Sequence, residues 1–251
     1  MSQTAVFKKV VDGIKDMVAE TNLDCTEDGM TLQSMDSSHV ALVSLRLDAR
    51  GFEHYNCSHP LTLGVNLHNM SKILKCGNND DVFTMMHKTD KDVLTMMFEG
   101  NNSISDFDLK LMDIDSEQLG IPEVDFAAVV TMASSEFQRI CRDLQTIGDS
   151  MVVSVDTKGI KFAVQGATGN GTMTVLPTEG ETGSRVTLEC TEPVCLSFAL
   201  RYLNFFTKAT PLAETVTLRL SPGIPLMVTY NIQDIGALRF FLAPKVEDEM
   251  M

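Results

Sequence analysis

The sequence predicts an α+β protein of two similar halves, with short helices packed on one side of antiparallel sheets. Three observations carry that reading. Four short segments with a 3.6-residue apolar period recur, two per half, each followed by alternating or β-branched runs. Turns rich in Gly, Asn and Asp punctuate those runs. One acidic stretch without period, MDIDSEQLGIPEVD at 112–125, separates the halves. Helices grouped against antiparallel strands are the α+β arrangement.

The first helix is expected over 6–20, where Phe7, Val10, Val11, Ile14, Met17 and Val18 share a face. Strands follow at 23–25, 30–35 and 40–47. The first two are joined by a turn at 27–29, in which Gly29 supplies positive φ. The second helix is expected over 67–76, with Leu67, Met70, Ile73 and Leu74 inward and a stop at 77–80. Strands at 82–87, 93–98 and 104–111 complete the half. The period-free stretch reads as an extended connector, so the chain divides into 1–111, a connector at 112–126, and 127–251. The second half repeats the plan. A helix is expected over 134–146 with Phe137, Ile140, Cys141 and Leu144 inward, then strands at 151–156, 160–165 and 171–176. A fourth helix is expected over 196–208 with Ala199, Leu200, Leu203 and Phe206 inward, then strands at 215–220, 226–232 and 238–242. Two similar halves in tandem make a curved object that self-association can close.

With 251 residues, 44% of them hydrophobic, the chain can bury a sizeable core, and global disorder is excluded. Six cysteines without a C-x-x-C pair are expected as free thiols in a reducing compartment. No signal segment opens the chain and no apolar run reaches the ~18–20 residues of a membrane span, so no membrane partner is expected. The glycine-rich run at 166–171 lacks the Lys-Ser/Thr of a phosphate loop and reads as a hairpin turn. His54, Cys57 and His59 lack a fourth ligand at suitable spacing, so no metal is expected. No nucleophile–base pattern surrounds His39, no cofactor is implied, and an enzyme is the weakest reading.

The formal net charge of −14 argues against a nucleic-acid partner unless the basic residues are segregated. They are. The four helical segments carry nine basic residues: Lys8, Lys9, Lys15, Lys72, Lys75, Arg139, Arg142, Arg201 and Lys208. They carry five acidic ones, Asp12, Asp16, Glu20, Glu136 and Asp143, a local excess of four positive charges that leaves −18 to the remainder. Lys8 and Lys15 are seven apart and share a helix face, as do Arg201 and Lys208. Side by side, such helices would form one basic stripe suited to sequence-independent phosphate contacts. The charges alone also fit ordinary solvated helix faces.

Six blocks carry a resemblance: LQSMDSSHV at 32–40, GVNLHNMSKILKC at 64–76, LMDIDSEQLGIP at 111–122, FQRICRDLQTIGD at 137–149, FALRYLNFFTKATPL at 198–212 and LAPKVED at 242–248. In order and over nearly the whole chain, they resemble the eukaryotic sliding DNA clamps, the proliferating cell nuclear antigen family. The resemblance implies the DNA-clamp fold and a nuclear homotrimer that raises polymerase processivity. Each of its two domains would present two inner helices, closing into a pseudo-sixfold ring around duplex DNA. The nine basic residues above would line the hole. The resemblance also implies a partner-peptide groove at Met35, His39, Val40, Leu42, Leu119, Ile121, Pro122, Ala199, Ile224, Pro225, Phe241, Ala243 and Pro244. Its guests would be DNA polymerase, clamp loader, flap endonuclease, ligase and other proteins bearing the matching peptide. Subunits would meet along Ser103, Phe107 and Lys110 on one side and Gly169, Gly171, Met173 and Val175 on the other. A replicative clamp and a clamp-like checkpoint or repair scaffold both fit.

Three departures accompany the resemblance. The family carries a strand before its first helix, for which few residues stand ahead of Val6. The family's ubiquitin-accepting lysine falls on Thr157, beside Lys158. Phe107 and Phe241 stand where tyrosines are common.

Overall fold

A computed structural model describes residues 3–88, 91–115, 119–120, 124–178 and 185–245. The first half runs α1 (Gln3–Ile14), β1 (Glu20–Thr26), β2 (Gly29–Met35), β3 (Ala41–Asp48), β4 (Leu61–Asn66), α2 (Leu67–Leu74), β5 (Val82–His87), β6 (Val93–Glu99) and β7 (Ile104–Lys110). The second half runs β8 (Ala128–Ala133), α3 (Ser134–Gln145), β9 (Ser150–Asp156), β10 (Gly159–Gly166), β11 (Gly169–Val175), β12 (Thr187–Cys190), β13 (Val194–Ala199), α4 (Leu200–Phe206), β14 (Thr215–Ser221), β15 (Ile224–Ile232) and β16 (Gly236–Leu242). A 3-10 segment, Thr207–Leu212, extends α4.

The strands form three antiparallel sheets. The largest has the order β12-β8-β14-β15-β16-β3-β2-β1-β4, and the others are β11-β10-β9-β13 and β5-β6-β7. The predicted repeat is present in this topology. β3-β2-β1-β4 in the first half matches β11-β10-β9-β13 in the second, and β5-β6-β7 matches β14-β15-β16. The halves are joined by β16 pairing with β3, from Gly236 opposite Leu47 to Leu242 opposite Ala41.

Burial explains why the helices form where they do. Val6, Phe7, Val10, Val11 and Ile14 of α1 are buried, as are Phe137, Ile140, Cys141 and Leu144 of α3. Phe206 of α4 stacks on Phe240 of β16 with ring centroids 4.6 Å apart. Each such side chain contributes about 1.5–3 kcal/mol by leaving water. α2 is capped by Asn66, whose side chain accepts from the Asn69 N–H at 3.0 Å.

The structure corrects several expectations. α1 ends at Ile14, not at 20; Met17 and Val18 stay buried in the following turn, so the apolar period outlasts the helix. Residues 196–199 are strand, because Leu196 and Phe198 pair with Val153 and Met151 of β9, and α4 starts only at Leu200. The strands β4, β8 and β12 went unread. In β4, Gly64 allows the connector to cross. A Cβ there would lie 2.0 Å from the Met112 carbonyl oxygen, while the Met112 N–H donates to the Gly64 carbonyl at 2.9 Å. The run at 166–171 is the β10–β11 hairpin turn, as read. All six cysteines are free.

Candidate nucleic-acid interface and partner groove

The four helices form one contiguous layer: α1 packs on α2, on α4 and on the 3-10 segment, and α3 packs on α4 and that same segment. At Gly13 the helix lies close to the 3-10 segment, where a Cβ would meet Ala209 in ordinary contact at 3.4 Å. The nine basic residues sit on this layer and differ in their partners. Lys15 pairs with Asp12 and donates to the Ser71 hydroxyl at 3.1 Å, tying α1 to α2. Lys208 reaches Asp16 at 2.5 Å, tying the 3-10 segment to the end of α1. That hydrogen bond holds the Asp16 carboxyl below its usual range. Arg139 spans Glu136 at 2.6 Å and Asp143 at 3.5 Å, and Arg142 reaches Asp143 at 3.0 Å. The Arg139 hydrogen bond likewise depresses Glu136. Lys8 is drawn toward the loop after α2, donating to the Gly77 carbonyl at 2.7 Å and to Asn79 at 3.1 Å. Lys9 is half-buried on α1. Lys72, Lys75 and Arg201 are exposed and carry no ion pair among the described residues. Arg201 and Lys208 both lie over the Phe205 ring, at 5.6 and 5.4 Å. Part of the positive charge therefore holds the helices together, and part projects into solvent.

Three of the expected groove residues, Met35, Leu42 and Phe241, line up on one face of the large sheet, joined by Met227, which the sequence reading did not include. Met35 stands opposite Leu42, Leu42 opposite Phe241, and Phe241 opposite Met227, one apolar row across four strands. Gln33, two residues along β2 from Met35, clamps the connector by accepting from the Leu119 N–H at 2.6 Å and donating to its carbonyl at 2.8 Å. Leu119 itself is 40% exposed. Beyond β16, the Ala243 N–H donates to the Val40 carbonyl and the Lys245 N–H to the Ser197 carbonyl, so Ala243 and Pro244 run between Val40 and the strand that ends at Ala199. Ile224 and Pro225 open β15 at one end of the row. Ile121 and Pro122 lie outside the described residues.

Asp36 organises the loop that carries His39, and sequence reasoning passed it over. Its buried carboxylate accepts from the N–H groups of Ser38, Val40 and Ala41 at 2.7–2.9 Å and from the Tyr202 hydroxyl at 2.9 Å. Burial alone would raise this carboxyl; the amides of Ala41, Ser38 and Val40 with the Tyr202 hydroxyl outweigh it and hold it low. His39 takes the left-handed conformation (φ 55°) that closes the loop. The signal for Asp36 was the Asp-Ser-Ser turn at 36–38; Tyr202, 166 residues away, left none.

The expected subunit edges are edges. β7 closes the three-stranded sheet and β11 the four-stranded one, each paired on one side only among the described residues. Ile104 at one edge and Leu176 beyond the other are 67% and 58% exposed.

Comparison with known families decides the identity of this arrangement. The model for the N-terminal domain of proliferating cell nuclear antigen matches residues 1–119, and that for its C-terminal domain matches residues 120–245. The chain belongs to the proliferating cell nuclear antigen family. Antiparallel sheets with a layer of few short helices are the α+β clamp fold of that family. Proliferating cell nuclear antigens are non-enzymatic sliding clamps that bind DNA, self-associate and work with replication proteins. Among the described residues, no helix is long and apolar enough to cross a membrane.

Proposed function

We propose that this chain is one subunit of a nuclear homotrimeric ring that encircles duplex DNA and recruits replication and repair proteins. Its two domains, 1–111 and 127–251, joined by the connector 112–126, would each supply one of six pseudo-equivalent segments. The observation that carries this reading is the internal pairing of β16 with β3. By the repeat, β7 corresponds to β16 and β11 to β3. The junction already made within the chain can therefore be made again between chains, β7 of one against β11 of the next, and repetition closes a ring. Pairing those edges also removes two open strand templates. The helix layer, with its excess of Lys and Arg, would face the duplex, while the acidic remainder faces outward. Because closure holds the DNA by topology, a few salt-screened phosphate contacts suffice.

The row Met35, Leu42, Phe241 and Met227, bordered by Leu119, would receive helical turns of partner peptides from DNA polymerase, clamp loader, flap endonuclease and ligase. The test is retention on DNA. A trimer loaded by a clamp loader should stay on nicked circular DNA and run off after linearisation. Equal loss from circle and line would overturn encirclement.

A further inference from the structure

The apolar row on the large sheet ends in a cation. Met227, its last member, stands opposite Arg219 of β14. Two residues along the strands, a second row shares the same face: Gln33, Ser44, Arg239, Thr229 and Thr217, each opposite the next. Strand side chains alternate, and the neighbours of the two arginines along their strands, Leu218, Leu220, Leu238 and Phe240, are buried on the other face. Thr229 links the arginines. It stands directly opposite Arg239, and its hydroxyl accepts from Arg219 Nη1 at 3.2 Å.

Neither arginine has a carboxylate partner among the described residues. The acids nearest on this face are engaged elsewhere. Asp48 is shared by Arg46 and Arg50, and Asp24, three strands from Arg239, accepts from the Thr62 hydroxyl at 2.7 Å. Arg219 is half-buried and Arg239 exposed. Burial, and then the charge of Arg239, push the Arg219 guanidinium below its usual range, and Glu189, two strands away, offsets only part of this. A half-buried cation beside a second cation is costly until an anion joins them. The chain as a whole carries −14, so this pair is a local reversal of charge at the border of an apolar row.

We infer that Arg219 and Arg239 form an anion subsite of the groove, which takes an Asp or Glu side chain of the peptide seated on the apolar row. The inference rests on reading that row as a partner groove and adds the chemistry of the guest. Arg219 lies one strand spacing, ~4.8 Å, from Met227, and Arg239 lies one pleat repeat, ~7 Å, from Phe241. A helical turn rises ~5.4 Å, so a guest anchored on Phe241 and Met227 places a residue three or four positions from its anchors beside the arginines. The guanidinium fork accepts a carboxylate through two parallel hydrogen bonds, which fixes the guest's orientation as well as its charge. Apolar anchors hold the peptide, and the acid selects among peptides that carry the same anchors.

The test uses the full chain and fluorescein-labelled peptides with leucine and phenylalanine anchors at helical spacing. One turn to either side of the anchors they carry glutamate, glutamine or lysine. By fluorescence anisotropy the glutamate peptide should bind about fivefold tighter than the glutamine peptide, and the lysine peptide weakest. The net charge of −14 alone would order them the opposite way. The preference should shrink as salt rises to about 0.5 M. In the double variant Arg219→Gln, Arg239→Gln the ratio of the two Kd values should fall to about one. The single variant Arg239→Gln, at an exposed position that leaves the fold intact, should lower the ratio about twofold. Equal binding of the glutamate and glutamine peptides, or a preference that survives in both variants, would overturn the subsite and leave the groove standing. Failure of all three peptides to bind would overturn the groove reading, and the subsite with it.

Discussion

Asp36 concentrates more structural consequence than any other single side chain of the candidate groove. Four donors converge on a buried carboxylate, and one comes from α4 in the other half of the chain. Replacing it with Ala leaves three amides without their acceptor, at about 1–3 kcal/mol. The urea midpoint of Asp36→Ala should fall accordingly, whereas Tyr202→Phe, which removes one donor, should cost about 1 kcal/mol. Because the folded carboxyl is held below its unfolded value, its stabilisation is fully present above pH ~4 and is lost as pH falls through the lower folded value. The stability difference between the native chain and Asp36→Asn should therefore shrink on acidification below about pH 4. A difference independent of pH between 7 and 3 would contradict this. Gln33 acts more locally. Gln33→Ala removes both hydrogen bonds to Leu119, so faster amide exchange at 119–120 and weaker peptide binding should follow, with little change in global stability.

At the scale of elements, the helix layer separates two uses of positive charge. Lys15 and Lys208 are joined to Asp12 and Asp16 and stitch helices together, so reversing them would confound packing with DNA contact. Lys72, Lys75 and Arg201 avoid that confusion. Reversing these three to Glu should leave the circular dichroism spectrum unchanged and weaken DNA retention. The slope of the log–log salt dependence should flatten by about 0.9 for each phosphate that is no longer neutralised. Unchanged salt dependence would remove these helices from the interface. The helices were legible because each buries one stripe against a sheet, and that stripe is a local property of the sequence. The boundary at Ala199 was not. Leu196, Phe198, Leu200, Leu203 and Phe206 satisfy a strand pattern that runs into a helix pattern, and only pairing with β9 shows where one yields to the other. β12 has four residues, too few for a period. The Gln33–Leu119 and Asp36–Tyr202 contacts span 86 and 166 residues, so no local spacing announces either.

At the scale of the whole molecule, exposure supports assembly as much as topology does. A monomer gains nothing by displaying Ile104 and Leu176 at 67% and 58% exposure beside open strand edges. Their positions become intelligible if β7 and β11 meet, because the equivalent junction of β16 with β3 is covered on both sides. Both residues are exposed in the isolated chain, so substitution there should shift its own stability by no more than about 0.5 kcal/mol. The double variant Ile104→Glu, Leu176→Glu places a charge on each side of every proposed junction, where the groups become desolvated without partners. Sedimentation velocity should then show the native chain at three times the monomer mass and the variant as a monomer. Thermal denaturation of the two should differ only by the concentration-dependent contribution of assembly. A variant that remained trimeric would place the junction elsewhere, and a native chain that sedimented as a monomer at all concentrations would overturn the proposed pairing of β7 with β11.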